Sequence, residues 1–551
     1  MKFTSKILNM ALLALMLAVT ACSQDEPLPA PDRPGADSVT TFLRMSLQLP
    51  VESAPRSNPS GGEEGDGRLP GINNENTIHD ISIFIYSHDL GLDCPAQTPV
   101  AVKLHFTEPE LRAYKVKDTQ NTYLLPLGDI DPVGCRIAVA ANIGFLPRDI
   151  TTMGQLRTHI CQRSFMAGDL VDGTSQAISG ADRFVMSNAY NGAKSGNLDG
   201  FIVIPQGDRP GSEQNPLTAE VWLERMAARI DLLLKDENIR GPFPVADGFL
   251  RYDVTENGKR TATVVPSHII PVNVMQHPSY LFKHVTAGDD INGSLLVCGD
   301  ETTDTGNDVP TNYVIEPRTL SKSTVSVTTA AEWYGSTAIQ HFLNADAYTD
   351  RNRLDRSWHR ITDGTNTEAG FNQYAILSYA NENTQHKDIL GSDVLTGLVI
   401  KAVYCPAEVY SAYASGTLSL IVSPTFPMDL WQYRPNGSDV TDADCLYFSN
   451  REAAVAYQNA QKGMGAITEY PGGVCYYNMW IRHANDNSNN PGPDRRVPME
   501  YGIVRNNVYR ISFTFHGIGD PTPDTPRSTE NLQSRIYVRD WAFKRHPEII
   551  M

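Results

Sequence analysis

The run Val39-Thr40-Thr41-Phe42-Leu43-Arg44-Met45-Ser46-Leu47-Gln48-Leu49 alternates without a break. Val39, Thr41, Leu43, Met45, Leu47 and Leu49 fall on one side of an extended chain. Thr40, Phe42, Arg44, Ser46 and Gln48 fall on the other, because successive side chains of a strand point to opposite faces. A period of two over this length predicts a half-buried strand, which we place at a sheet edge. Pro50 ends it.

Upstream lies an export signal. Lys2 and Lys6 precede the apolar run Ile7–Val19, which is too short for a confident membrane span. Val19-Thr20-Ala21-Cys22 then sets small residues before a cysteine, the pattern of a bacterial lipoprotein signal, so Cys22 is the expected lipid attachment site. Ser23-Gln24-Asp25-Glu26 resembles the acidic surface-export signal of lipoproteins in the Bacteroidota. Pro27, Pro29, Pro31 and Pro34 extend it as a tether. Lipid is then the expected membrane attachment, palmitate being one acyl chain of the kind such anchors carry.

Downstream, Val51–Gly67 is rich in Ser, Pro, Gly and Glu and reads as a loop open to proteolysis. Arg56, followed by Ser57, is the better cleavage candidate than Arg44, which a paired strand would protect.

Composition narrows the function. A chain of 551 residues exceeds what one core usually holds. With 41 Gly, 36 Pro and many short β-branched or aromatic runs, an all-β, turn-rich architecture follows. A net charge of −17 disfavours nucleic acid as a partner. Besides Cys22 there are Cys94, Cys135, Cys161, Cys298, Cys405, Cys445 and Cys475, with no C-x-x-C pair, so a zinc or redox site is disfavoured. Most are expected to be small buried residues. Phosphate-loop, G-x-G-x-x-G, H-E-x-x-H and G-x-S-x-G patterns are lacking, and neither an enzyme nor a cofactor is expected. Asp486, Ser488 and Asn490 faintly resemble a calcium loop with the wrong glycine spacing, so a polar hairpin is preferred and no metal site is assigned. Tyr476, Tyr477 and Trp480 offer aromatic faces for a sugar, although alternation sends at least half of them into the core.

Along the chain, Ile81–Tyr86, Ala101–Phe106, Asn121–Pro126, Arg136–Ala141, Phe184–Asn188 and Phe201–Pro205 read as strands. Glu110–Lys115 and Thr151–Gln162 read as short helices. Thr218–Leu234 is a long apolar segment, and polar Asp236–Asp247 marks a domain boundary. Beyond it, Gly248–Val254, Thr261–Val265, Leu398–Tyr404, Tyr476–His483, Met499–Val504, Val508–His516 and Ser534–Phe543 are strand-like. Ser449-Asn450-Arg451-Glu452 fits a capping box opening a helix over Asn450–Gln461. The expected division is a signal at 1–21, a lipidated propeptide at 22–56, and domains at 57–238 and 239–551.

The segment Cys475–Ile518, above all Met499-Glu500-Tyr501-Gly502-Ile503-Val504-Arg505-Asn506-Asn507-Val508-Tyr509, resembles the C-terminal domain of the fimbrillins, the major subunits of type V pili. Phe184–Asn188, Val221–Asp231 and Ile536–Trp541 are similar to other parts of that family in the same order. The resemblance implies two β-sandwich domains of transthyretin-like topology with a few short helices and long loop insertions. It also implies a lipoprotein precursor in the outer membrane, cut by an Arg-specific surface protease and assembled outside the cell by donor-strand exchange. Carried over, the cut falls after Arg56 and the displaced strand holds Val39, Thr41, Leu43, Met45, Leu47 and Leu49. The candidate donor strand holds Ile536, Val538, Trp541 and Phe543. Partners would be other fimbrial subunits and an unknown host or bacterial surface ligand. Insertions around Asp289–Asp308 and Asp346–Asp388 leave shaft, tip and anchor roles open. A surface-exposed glycan-binding lipoprotein of a nutrient-uptake system is the alternative; it would keep Cys22–Arg56 and stay monomeric.

Overall fold

A computed structural model describes residues 40–48, 68–71, 73–87, 95–119, 121–130, 135–161, 163–165, 183–188, 202–203, 211–239, 250–272, 280–282, 358–360, 370–383, 395–438, 440–483, 502–523 and 531–542. The strands of the first part are β1 (Thr41–Gln48), β2 (Arg68–Pro70), β3 (Ile81–Ser87), β4 (Val100–Phe106), β5 (Thr122–Gly128), β6 (Cys135–Ala141), β7 (Met186–Asn188), β8 (Ile202–Val203), β9 (Leu217–Arg225) and β10 (Ala227–Leu234). There follow β11 (Tyr252–Glu256), β12 (Lys259–Val272), β13 (Trp358–Arg360), β14 (Gln373–Asn381), β15 (Gly397–Pro406), β16 (Tyr410–Ala414) and β17 (Thr417–Leu420). The last are β18 (Leu430–Arg434), β19 (Leu446–Phe448), β20 (Ala466–Tyr470), β21 (Val474–Trp480), β22 (Asn507–Phe515) and β23 (Leu532–Ala542). Helices are short: α1 (Glu108–Tyr114), α2 (Met153–Arg157), α3 (Asp236–Ile239) and α4 (Arg451–Ala460). The chain is mainly β, as its turn-rich composition predicts.

Four sheets organise the described residues. The first runs β4-β3-β6-β7-β9-β1-β5, with β8 on β6. Leu43, Met45 and Leu47 of β1 share one core with Ile81, Ile83 and Ile85 of β3 and with Leu125, Leu127, Val221 and Leu223. The other face of β3 and β6 is covered too, Phe84 and Ala138 meeting Met153, Leu156 and Phe282. Burial on both faces explains why β3 reads as a continuous apolar run rather than an alternating one.

The second sheet, β13-β14-β10-β22-β23-β2, and the third, β11-β12-β15-β21, enclose another core. Ile230, Leu232, Ile511 and Phe513 from one meet Val264, Leu398, Ile400 and Tyr477 from the other. A fourth sheet, β17-β16-β19-β18-β20, is inserted between β15 and β21 and packs around α4. Asp442 seats this insertion on the third sheet, accepting hydrogen bonds from Tyr404 at 2.6 Å and Tyr447 at 2.8 Å.

Several details depart from the sequence reading. Asp236–Ile239 forms α3, and the chain changes sheets earlier, at Met226: β9 pairs with β1, whereas β10 pairs with β14 and β22. The N-cap of α4 is Asn450, whose side chain accepts from the Ala453 amide at 2.9 Å. Ser449 is not the cap, because its own amide is committed to the carbonyl of Tyr410 at 3.0 Å. Within Met499–Val504, the described residues Gly502–Val504 form no strand; Ile503 makes an isolated bridge to Asn383. Cys135, Cys161, Cys405, Cys445 and Cys475 are buried. Cys22, Cys94 and Cys298 lie outside the described residues, as do the insertions at Asp289–Asp308 and most of Asp346–Asp388.

Candidate functional site: the slot around the first strand

β1 is not an edge strand. It lies between β9, with which it runs parallel from Leu43↔Leu217 to Gln48↔Trp222, and β5, with which it runs antiparallel from Thr41↔Gly128 to Ser46↔Thr122. Its side chains follow the expected alternation. Leu43 and Met45 are fully buried, Leu47 and Thr41 nearly so, and Arg44 is exposed while its backbone is laddered on both sides.

Both ends of the strand are tied. The Phe42 amide donates to the Gly211 carbonyl at 2.8 Å, and Leu47 to Asn121 at 2.9 Å. Thr41 Oγ1 donates to the Ile130 carbonyl at 3.0 Å, and Ser46 and Thr122 share a hydroxyl contact at 3.0 Å. Gly211 has φ of +147°, and a Cβ there would stand 3.3 Å from Thr41 Cγ2, so only glycine lets this turn close against the strand. Burying three large apolar side chains at about 1.5–3 kcal/mol each contributes on the order of 5–9 kcal/mol. All of that attachment is non-covalent.

β23 is also seated in a ladder. It pairs antiparallel with β22 from Asn507↔Asp540 to Phe515↔Leu532 without a bulge, and in parallel with β2 at Arg68↔Asp540, Leu69↔Trp541 and Pro70↔Ala542. Ile536, Val538 and Trp541 of the expected donor set all belong to this strand. Ile536 packs half-buried on the second core and Tyr537 is buried. Cys22, Val39, Leu49, Arg56, Ser57 and Phe543 lie outside the described residues, as do Asp486, Ser488 and Asn490. Tyr476, Tyr477 and Trp480 are buried, which removes them as a sugar-stacking platform. Among the described residues no group of His, Cys, Asp or Glu is arranged to hold a metal ion, and no helix is long and apolar enough to cross a membrane.

A buried charge network joins the two cores, and the sequence reading missed it. A 3-10 turn at Asn73–Asn76, directly after β2, inserts Glu75. Its carboxylate accepts from Arg229 Nη1 at 2.9 Å and from the Tyr379 hydroxyl at 2.5 Å. Arg229 also grips Asp231 through Nε and Nη2, both at 2.9 Å, and Arg510 Nε stands 3.6 Å from the same carboxylate. The Arg510 guanidinium lies over the Tyr374 ring, 4.9 Å from its centroid. Burial opposes the charge on Arg229, but Asp231 and Glu75 beside it outweigh that and hold its pKa above the usual arginine value. Burial pulls Arg225 down to about 9, with Glu75 opposing, so it stays charged at neutral pH.

The Arg505-Asn506-Asn507 turn completes the network. Asn506 adopts φ of +56° and accepts from the Arg225 amide at 3.1 Å, while its own amide donates to Ala227 at 2.9 Å. Arg505 donates to Glu382 Oε2 from Nη2 at 2.9 Å and Nε at 3.1 Å, and to the Tyr280 carbonyl at 2.7 Å. The motif that carries the resemblance is thus the turn that locks β9 and β10 to β22.

With this turn in place between β21 and β22, the comparison with known families becomes specific. Residues 468–546 match the family described as major fimbrial subunit protein type IV, fimbrillin, C-terminal. In that segment the chain is similar to the fimbrillins. No curated protein matches the chain. Among solved structures, it is similar to a candidate cell adhesion protein from Bacteroides eggerthii DSM 20697, at 10% identity over 92% of this chain and 98% of that one, with a TM-score of 0.37. It is also similar to the tip fimbrial protein Mfa3 from Porphyromonas gingivalis, at 9% identity over 91% and 100% with a TM-score of 0.32. A fimbrilin (fimA) from Porphyromonas gingivalis W83 aligns at 12% identity over 92% and 99%, with a TM-score of 0.33. At TM-scores this low the likeness carries no argument.

Proposed function

We propose that this chain is a fimbrial subunit, exported as a lipoprotein attached through Cys22, cut after Arg56 by an Arg-specific protease, and polymerised by strand exchange, the resulting fibre serving adhesion. Its two sandwich domains meet at Met226. Carrying the reading is one observation: β1 fills an internal slot between β9 and β5 yet belongs to a segment joined to the rest of the chain only through residues 49–67. Removing an internal strand leaves two unpaired ladders and an apolar floor, which a strand from a neighbouring subunit can fill. Such a contact is head-to-tail and extends into an open filament. A strand from the second sheet of the neighbour, within Leu532–Ala542, is the proposed occupant.

N-terminal sequencing of surface-shed protein tests the reading. A start at Ser57 in SDS-resistant ladders supports it; lipid-modified Cys22 in a monomer overturns it. Arg56→Ala is expected to abolish assembly while leaving export and folding intact.

A further inference from the structure

The segment Thr41–Asn76 touches both cores. Its first strand, β1, sits in the first sheet; β2 lies in the second; and Glu75 is anchored by Arg229 and Tyr379. β2 pairs with only the last three residues of β23. Asp540 has Asn507 of β22 on its other side, but Trp541 and Ala542 have β2 as their only ladder partner among the described residues. A strand leaves its sheet most readily by fraying from its terminal end. β2 therefore holds the part of β23 that would open first.

We infer that β2 is a clasp on the C-terminal strand, and that cutting between β1 and β2 loosens it. Three parallel residue pairs form a weak unit by themselves. Their position depends on the flanks: β1 in its slot upstream and Glu75 in the charge network downstream. With both flanks fixed, β2 reforms rapidly after any local opening, since its loop ends stay held together. Once the upstream connection is cut, only Gly71–Asn76 holds it. Proteolysis thereby acts at both ends of the assembly contact: it makes β1 replaceable and lets β23 fray. This inference rests on β23 being the strand that leaves its own subunit.

Native-state hydrogen exchange on the full chain tests it, before and after digestion with an Arg-specific protease, with the start at Ser57 checked by sequencing. Amides of Tyr537–Ala542 are expected to exchange at least about tenfold faster after the cut, while those of β12 and β15 in the third sheet stay unchanged. The uncut variant R68G/L69G, which weakens β2 without proteolysis, is expected to show the same local acceleration. Unchanged exchange in either sample overturns the clasp. Ladder formation scored on the same samples separates the two ideas. Assembly with unaltered β23 exchange refutes the clasp alone; faster exchange in a cut chain that never assembles upholds the clasp and refutes the strand-exchange reading.

Discussion

Tyr379 on β14 donates its hydroxyl to Glu75 at 2.5 Å, linking positions 304 residues apart. Glu75 is fully buried and is the shared acceptor for Tyr379 and Arg229. A buried carboxylate in this position holds the two cores together only while its charge matches the guanidinium beside it.

Glu75→Gln should therefore destabilise the chain by about 3–5 kcal/mol, because it removes one of the two carboxylates that the buried Arg229 grips. The urea unfolding midpoint checks this. A midpoint shift worth less than about 1 kcal/mol would show that the network is dispensable.

Asn506→Ala removes the acceptor for the Arg225 amide and puts alanine at φ of +56°, a left-handed conformation that asparagine tolerates better. A loss of about 2–3 kcal/mol is expected from the two effects together. Asn506→Gly relieves the backbone but not the missing acceptor, so its thermal midpoint should fall between those of Asn506→Ala and the parent. Equal midpoints for the two variants would exclude a backbone contribution.

Leu43→Ala opens a cavity under β1 and should lower precursor stability by about 2–5 kcal/mol. If β1 is replaced during assembly, the finished fibre no longer contains Leu43. Heat resistance of SDS-stable ladders should then match the parent even though the precursor melts earlier. A fibre weakened in proportion would mean that β1 stays in place.

His159 supplies a pH dependence. Burial holds its imidazole below the ordinary value of 6.5, with Asp149 opposing. The folded chain thus binds fewer protons than the unfolded chain as pH falls through about 6.5, so this group's contribution is present above that pH and is lost below it. His159→Gln should flatten the slope of urea midpoint against pH between about 7 and 5. An unchanged slope would assign the dependence to other groups.

The alternation in Thr41–Gln48 was legible because period and burial are both local: Leu43, Met45 and Leu47 point inward as their spacing requires. Whether β1 is central or marginal was not, since that is decided by pairing with Leu217–Trp222, far along the chain. Glu75 lies in the polar run Asn73–Asn76, which carries no local signal of burial. The available signal was downstream, where Arg225, Arg229 and Asp231 interrupt an otherwise apolar strand pair and demand buried partners. The fourth sheet escaped notice because strands such as β16 and β17 are short and largely exposed, so no apolar period marks them. Helix α4 was legible, but Ser449 and Asn450 are both good caps, and only the tertiary hydrogen bond from Ser449 to Tyr410 chooses between them.

The turn at Arg505-Asn506-Asn507 also bears on the order in which the chain can finish folding. Every strand of the first sheet precedes Met226, so that sheet has all its strands once the first half has emerged. Yet Glu75 acquires Tyr379 only when β14 has emerged, and Arg225 acquires Asn506 only when the last stretch has been delivered. A chain broken off before Asn506 keeps its buried arginine without that acceptor, and full-length synthesis is built into the stability of its earliest part.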